Sequence, residues 1–150
     1  MIKSKKVIAV DFDGTIVTHE YPKIGKDIPF AIETLIQLRK EGFRLILWTV
    51  RHGKLLDEAV EYCRARGLEF YAVNKNYPEE DYNHNAGRKI VADWYIDDRN
   101  LGGLPSWGEI YQHLSISEPA QKSKQSGLLW KNKQSTKKPG KLYRALTLRF

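Results

Sequence analysis

The sequence contains one cysteine, one methionine and no long hydrophobic run. The single cysteine, Cys63, excludes a disulfide bond within the chain, and its mid-helix position predicts a buried structural thiol. No apolar stretch approaches the roughly 18 residues that a membrane-spanning helix needs. The first three residues lead directly into a predicted strand, with no signal peptide. These absences predict a cytoplasmic protein with no membrane partner.

Acidic residues are absent from the last part of the chain. Residues 119–150 contain nine of the 25 basic residues and no acidic one, whereas residues 1–118 hold 16 basic and 18 acidic side chains. The net charge of +7 therefore comes from this tail. We predict one globular domain, residues 1–118, and a basic, flexible tail, residues 119–150. The end of the tail, residues 141–150, could form an edge strand or a docking segment.

Short apolar runs alternate with amphipathic segments along the globular part. The pattern predicts strands over residues 7–10, 43–48, 69–73 and 94–96, helices over about 29–41, 54–66 and 107–114, and a helical turn or two over 88–93. This alternation favours an α/β fold, with a Rossmann-like, open, mainly parallel sheet and helices on both faces. Because right-handed crossovers make the strands parallel, the residues that follow each strand should share one edge of the sheet.

Two of the predicted strands end in a pair of carboxylates. Asp11 and Asp13 follow the first strand, and Asp97 and Asp98 follow the last. Acidic groups at the end of a buried strand repel one another and lose hydration, which is costly unless a cation lies between them. An Asp-Gly turn is the alternative for the first pair. Two converging pairs predict a bound cation, and carboxylate oxygens suit Mg²⁺.

Further candidates lie in the loops at the same edge. The hydroxyl of Thr49, after the second strand, either holds a phosphoryl oxygen or caps the following turn, and the spacing leaves both open. Arg51 either contacts substrate or belongs to an exposed loop. Loops 16–28 and 74–88 are the other segments expected to contact substrate, because loops at this edge carry function.

In order, these motifs resemble those of the haloacid dehalogenase superfamily of phosphohydrolases. VIAVDFDGT matches the first signature, the threonine that ends LILWT the second, Lys89 the third and YIDD the fourth. The matches span residues 6–98, so the resemblance covers the globular part and not the tail. The intervals between motifs are too short for the family's cap domain. A capless member has an open site, which suits a large substrate or cover by a neighbouring subunit in a homo-oligomer.

The resemblance implies four catalytic residues. Asp11 would attack phosphorus and form an aspartyl-phosphate, and Asp13 would donate and then accept a proton. Thr49 and Lys89 would stabilise the charge on the transferring phosphoryl group.

The resemblance also implies a ligand set. Mg²⁺ would be held by Asp11, the main-chain carbonyl of Asp13, and Asp97, while Asp98 would either bind the metal or orient Lys89. The residues implied for substrate binding are Gly14, Thr15, Thr49, Arg51 and Lys89.

The expected function is a Mg²⁺-dependent phosphatase that acts on a phosphorylated small molecule. One alternative is a nucleotide or polynucleotide phosphatase whose basic tail binds nucleic acid phosphates. A second alternative is a phosphate-binding module that keeps the fold without turnover.

Overall fold

The computed structural model describes residues 5–81 and 89–117. Within these ranges the chain forms four strands and three helices. They are β1 (Val7–Val10), α1 (Ala31–Lys40), β2 (Arg44–Leu47), α2 (Gly53–Arg64), β3 (Ala72–Val73), β4 (Trp94–Ile96) and α3 (Trp107–Ser117).

The four strands form one parallel sheet in the order β3-β2-β1-β4. Strand β1 lies inside the sheet, and its last residue, Val10, is level with Leu47 of β2 and Ile96 of β4. The chain therefore leaves these three strands at the same edge, as the sequence predicts. The α/β class with an open parallel sheet is confirmed.

The two faces of the sheet are covered differently. Ile8 and Val10 of β1 point into a large apolar cluster that includes side chains of all three helices, while Ala9 belongs to a smaller cluster on the other face with Ile90. The sequence predicts helices on both faces, whereas the described helices share one. The reason is that successive right-handed crossovers from β1 to β3 run in one direction and place α1 and α2 on the same side. The return connection to β4 contributes Ile90 to the opposite side.

Two predictions about helix ends are wrong in detail. Helix α1 begins at Ala31 rather than at about residue 29. Before it, the carboxylate of Asp27 accepts a hydrogen bond of 2.6 Å from the hydroxyl of Tyr62, which joins this loop to α2. Helix α3 continues to Ser117, three residues beyond the predicted end.

The segment before β4 is extended rather than helical. Residues 89–93 have no helical structure, and the amide of Asp93 donates a hydrogen bond of 2.9 Å to the carbonyl of Val7. The pairing of β4 with β1 therefore begins one residue before the strand, which leaves no room for the predicted helical turn in this part.

Cys63 is fully buried, and burial raises the pKa of its thiol to about 12. The prediction of a structural thiol is confirmed, since a thiol so difficult to ionise is a poor nucleophile. No helix within the described ranges is long and apolar enough to cross a membrane. The predicted tail, residues 119–150, lies outside the described residues.

A substitution on the apolar face of α1 tests whether the large apolar cluster stabilises the fold. Leu35 is fully buried in the large cluster, and Leu101 is fully exposed. We expect Leu35→Ala to lower the free energy of unfolding by about 2–5 kcal/mol, because it leaves a cavity. The same change at Leu101 should shift it by less than about 0.5 kcal/mol. Denaturant titration measures both, and equal losses would show that the cluster is not the stabilising core.

Candidate metal centre and active site

Three carboxylates meet where β1 and β4 end. Asp11 directly follows β1, and its amide donates a hydrogen bond of 2.9 Å to the carbonyl of Ile96. Asp97 and Asp98 follow β4, and one carboxylate oxygen from each of the three aspartates lies within 4.8 Å of the others. We call Asp11, Asp97 and Asp98 the acidic triad. The predicted convergence of the two strand ends is confirmed, and the triad could hold a metal ion.

The electrostatics of the triad favour a cation. Burial is the largest cause that raises the pKa of Asp11 to about 6. A hydrogen bond from the Phe12 amide opposes this shift, and the negative charges of Asp97, Asp98 and Asp13 add to it. The Oδ1 atom of Asp98 is buried and has no hydrogen-bond partner among the described residues. An orphaned carboxylate oxygen beside two other carboxylates fits Mg²⁺, which takes oxygen ligands from a few carboxylates.

Thr15 fixes two members of the triad. Its side chain is fully buried, donates a hydrogen bond of 3.3 Å to Asp11 Oδ2 and accepts one of 3.0 Å from the amide of Asp98. Its carbonyl accepts a hydrogen bond of 3.2 Å from Trp107 Nε1, which joins α3 to this turn. The prediction that Thr15 contacts substrate is wrong, because no part of the residue reaches the surface. It positions Asp11 and Asp98 instead.

Gly14 allows the close approach of β4's end to this turn. It has φ +85°, in the left-handed region, and a Cβ atom here would lie 2.2 Å from Asp98 Oδ2. A larger residue would therefore be strained and would displace a triad carboxylate.

Asp13 does not join the triad through its side chain. Both of its oxygens accept hydrogen bonds of 2.7 Å from the guanidinium of Arg51, one from Nε and one from Nη2. This bidentate pair is buried, with 0% of the Arg51 side chain and 5% of the Asp13 side chain exposed. The prediction that both carboxylates of the first pair face the cation is therefore wrong for Asp13. Its main-chain carbonyl as a ligand stays a prediction.

The N–H groups of the Arg51 guanidinium donate hydrogen bonds to other residues of the protein. Besides the two bonds to Asp13, it donates to the carbonyls of Pro22 at 3.0 Å and Lys23 at 2.8 Å, so four of its five N–H groups are engaged. The reading of Arg51 as part of an exposed loop is wrong. The predicted substrate contact is not supported either, because the guanidinium is buried and committed to these partners.

Thr49 has the turn-capping role. Its Oγ1 accepts a hydrogen bond of 3.2 Å from the amide of Arg51, and its own amide donates one of 2.8 Å to Asn74 Oδ1. Only 9% of Thr49 is exposed. The hydroxyl proton is still available as a donor, so contact with a phosphoryl oxygen stays a prediction.

The side chain of Lys89 lies beside Tyr95. It is exposed, and its Nζ lies 5.2 Å from the centre of the Tyr95 ring, which belongs to the smaller cluster on the opposite face from the helices. Within the part of the chain that is described, Lys89 makes no ion pair with Asp11, Asp97 or Asp98. The charge-neutralising role implied by the resemblance has no contact to support it.

The sequence reasoning missed the contacts that organise the site. Arg51 and Asp13 are 38 positions apart, and Trp107 and Thr15 are 92 positions apart, so no local pattern links them. A signal existed for the first pair, because the parallel pairing of β1 and β2 brings opposite charges to neighbouring strand ends. No comparable signal marks Trp107.

No protein-family model and no curated protein matches the chain. Among solved structures it is similar to that of a conserved protein coded by a locus of Bacteroides thetaiotaomicron. The sequences are 61% identical, the match covers 77% of this chain and 94% of that one, and the TM-score is 0.71.

Burial of Asp11 beside other negative charges gives a pH-dependent stability without metal. The pKa of Asp11 is about 6 in the fold against an ordinary 3.8, so its contribution to stability is present below about pH 4 and is lost as pH rises through 6. In chelator at pH 7, we expect Asp11→Asn to be more stable than wild type by of order 1 kcal/mol, allowing for partial exposure. Thermal unfolding across pH 4–7 measures this, and a constant difference between the proteins would contradict it.

Gly14 can be compared with a glycine at which an added Cβ atom would meet open space. Gly14→Ala and Gly42→Ala impose similar backbone strain, since Gly42 has φ +102°, but a Cβ at Gly42 meets nothing within 4 Å. We expect Gly14→Ala to cost at least about 1 kcal/mol more than Gly42→Ala, because it also displaces Asp98. It should also weaken stabilisation by Mg²⁺. Equal effects of the two changes on unfolding would disprove the close contact.

Proposed function

The chain belongs to the family of the conserved Bacteroides thetaiotaomicron protein, and we propose its function from the geometry of its own site. We propose that it is a Mg²⁺-dependent phosphatase of the haloacid dehalogenase type, which hydrolyses a phosphomonoester through an aspartyl-phosphate. The convergence of Asp11 with Asp97 and Asp98 at one edge of the sheet is the observation that carries the proposal.

In the first step, an oxygen of Asp11 attacks phosphorus. The bond from phosphorus to the ester oxygen breaks, and that oxygen takes the proton of the Asp13 carboxyl group as the alcohol leaves. In the second step, a water molecule attacks the phosphorus of the aspartyl-phosphate and gives its proton back to Asp13. Inorganic phosphate and free Asp11 result, so one difficult displacement becomes two easier ones.

The chain's own residues supply orientation for these steps. Thr15 holds Asp11 by a hydrogen bond of 3.3 Å, which leaves the other oxygen of that carboxylate available for attack. The hydroxyl of Thr49 would donate to a phosphoryl oxygen. A Mg²⁺ ion held by the triad would offset the charge of the carboxylates and of a dianionic phosphate.

A second candidate function is phosphate binding without turnover. It is favoured by the position of Lys89, which lies against Tyr95 rather than in an ion pair with the triad. A site without that lysine would lose part of the electrostatic stabilisation of the transferring group. The two candidates differ in whether a covalent phosphoenzyme forms.

Hydrolysis of p-nitrophenyl phosphate tests the phosphatase proposal. We expect activity that requires Mg²⁺ and that falls by about 10³-fold or more in Asp11→Asn, because the nucleophile is removed. Asp57→Asn, at an exposed position of α2, is the matched control and should retain wild-type activity. Equal rates for wild type and Asp11→Asn would disprove covalent catalysis.

The covalent intermediate separates the two candidates. Acid quenching of wild type during turnover of a radiolabelled phosphoester should retain label on the protein, and Asp11→Asn should retain none. Mg²⁺-dependent binding of phosphate without label or product would support the binding module.

A further inference from the structure

Arg51 stands out as a large charged side chain that is fully enclosed. Its guanidinium carbon lies 5.1 Å from the centre of the Phe12 ring and 5.3 Å from that of the Tyr21 ring. Hydrogen bonds to Asp13 raise its pKa further above the ordinary value, so the group is permanently charged. Burying a charge is costly unless a counter-charge and further hydrogen bonds replace the lost hydration, and Asp13 and two main-chain carbonyls supply them here.

The guanidinium of Arg51, which follows β2, joins two parts of the connection between β1 and α1. On one side it holds both oxygens of Asp13, and on the other it holds the carbonyls of Pro22 and Lys23. These two carbonyls belong to the loop of residues 16–28, which lies at the substrate edge of the sheet. The direction of the Asp13 carboxylate is thus tied to the conformation of that loop.

We propose that Arg51 is the positioning residue for proton transfer by Asp13, and that it couples this group to the loop of residues 16–28. The inference rests on the proposed phosphatase function. The two parallel hydrogen bonds fix the plane of the carboxylate, and each oxygen keeps a lone pair that can carry a proton to or from the reacting oxygen. Arg51 itself touches neither the phosphoryl group nor the triad.

A positioning role differs from a purely structural one in its dependence on the leaving group. An alkyl alcohol leaves phosphate slowly without a proton, whereas p-nitrophenolate leaves readily without one. Misplacing the proton donor should therefore slow alkyl phosphates much more than p-nitrophenyl phosphate. Loss of folded protein, or of metal, would slow both substrates equally.

The experiment compares kcat/KM for p-nitrophenyl phosphate and an alkyl phosphate in wild type, Arg51→Lys and Arg51→Met. For Arg51→Met we expect a loss of about 10²-fold or more with the alkyl ester and less than about 10-fold with the aryl ester. Arg51→Lys keeps the charge without the planar fork, so it should show the same selectivity to a smaller degree. The losses should appear in kcat rather than in KM.

Arg39→Met is the matched control, because Arg39 pairs with Glu69 at 2.9 Å on the surface and should leave both rates unchanged. Thermal unfolding establishes whether each variant is folded. If Arg51→Met does not fold, Arg51→Lys supplies the comparison between the losses of kcat/KM with the alkyl and the aryl ester. Equal losses with both substrates, or failure of both variants to fold, would overturn the positioning role while the wild type remains a phosphatase. A wild type inactive on both esters would overturn the proposed function as well.

Discussion

The site depends on the parallel pairing that holds the ends of β1 and β4 side by side. Val10 and Ile96 are in register, so the next residues of each strand, Asp11 and Asp97, emerge together although their negative charges repel. Burial of the apolar strand residues stabilises this arrangement, since each large aliphatic side chain contributes about 1.5–3 kcal/mol. The fold thereby maintains a local electrostatic cost that a cation would relieve, which makes this edge of the sheet a candidate metal site.

Around this pairing, two separate networks orient the acidic groups. Thr15 connects Asp11 with the amide of Asp98, and Arg51 holds Asp13 from the opposite side. The two aspartates of the first motif are only two residues apart and yet have different environments. One is partly exposed beside like charges, and the other is buried against an arginine. Differing environments are what allow neighbouring carboxyl groups to take different roles in one reaction.

Much of the fold and of the triad could be predicted from the sequence because the signals are local. A buried strand appears as an apolar run, and its end appears as Asp11 or Asp97 directly after that run. The orientation of Thr15 and Arg51 could not be predicted in this way. Whether a side chain faces the substrate or the interior depends on contacts across 38 to 92 positions, which only the folded chain defines. The extended segment before β4 has a similar origin, since the pairing of Asp93 with β1 overrides the helical propensity of the residues around it.

The absence of a side chain at Gly14 couples positions 14 and 98 sterically. The space that a methyl group would occupy is already filled by the carboxylate of Asp98. A larger residue at position 14 would be tolerated only together with a smaller residue at position 98, and the smaller residue would lack the charged oxygen of Asp98. In this arrangement a side chain at position 14 is therefore incompatible with an acid at position 98.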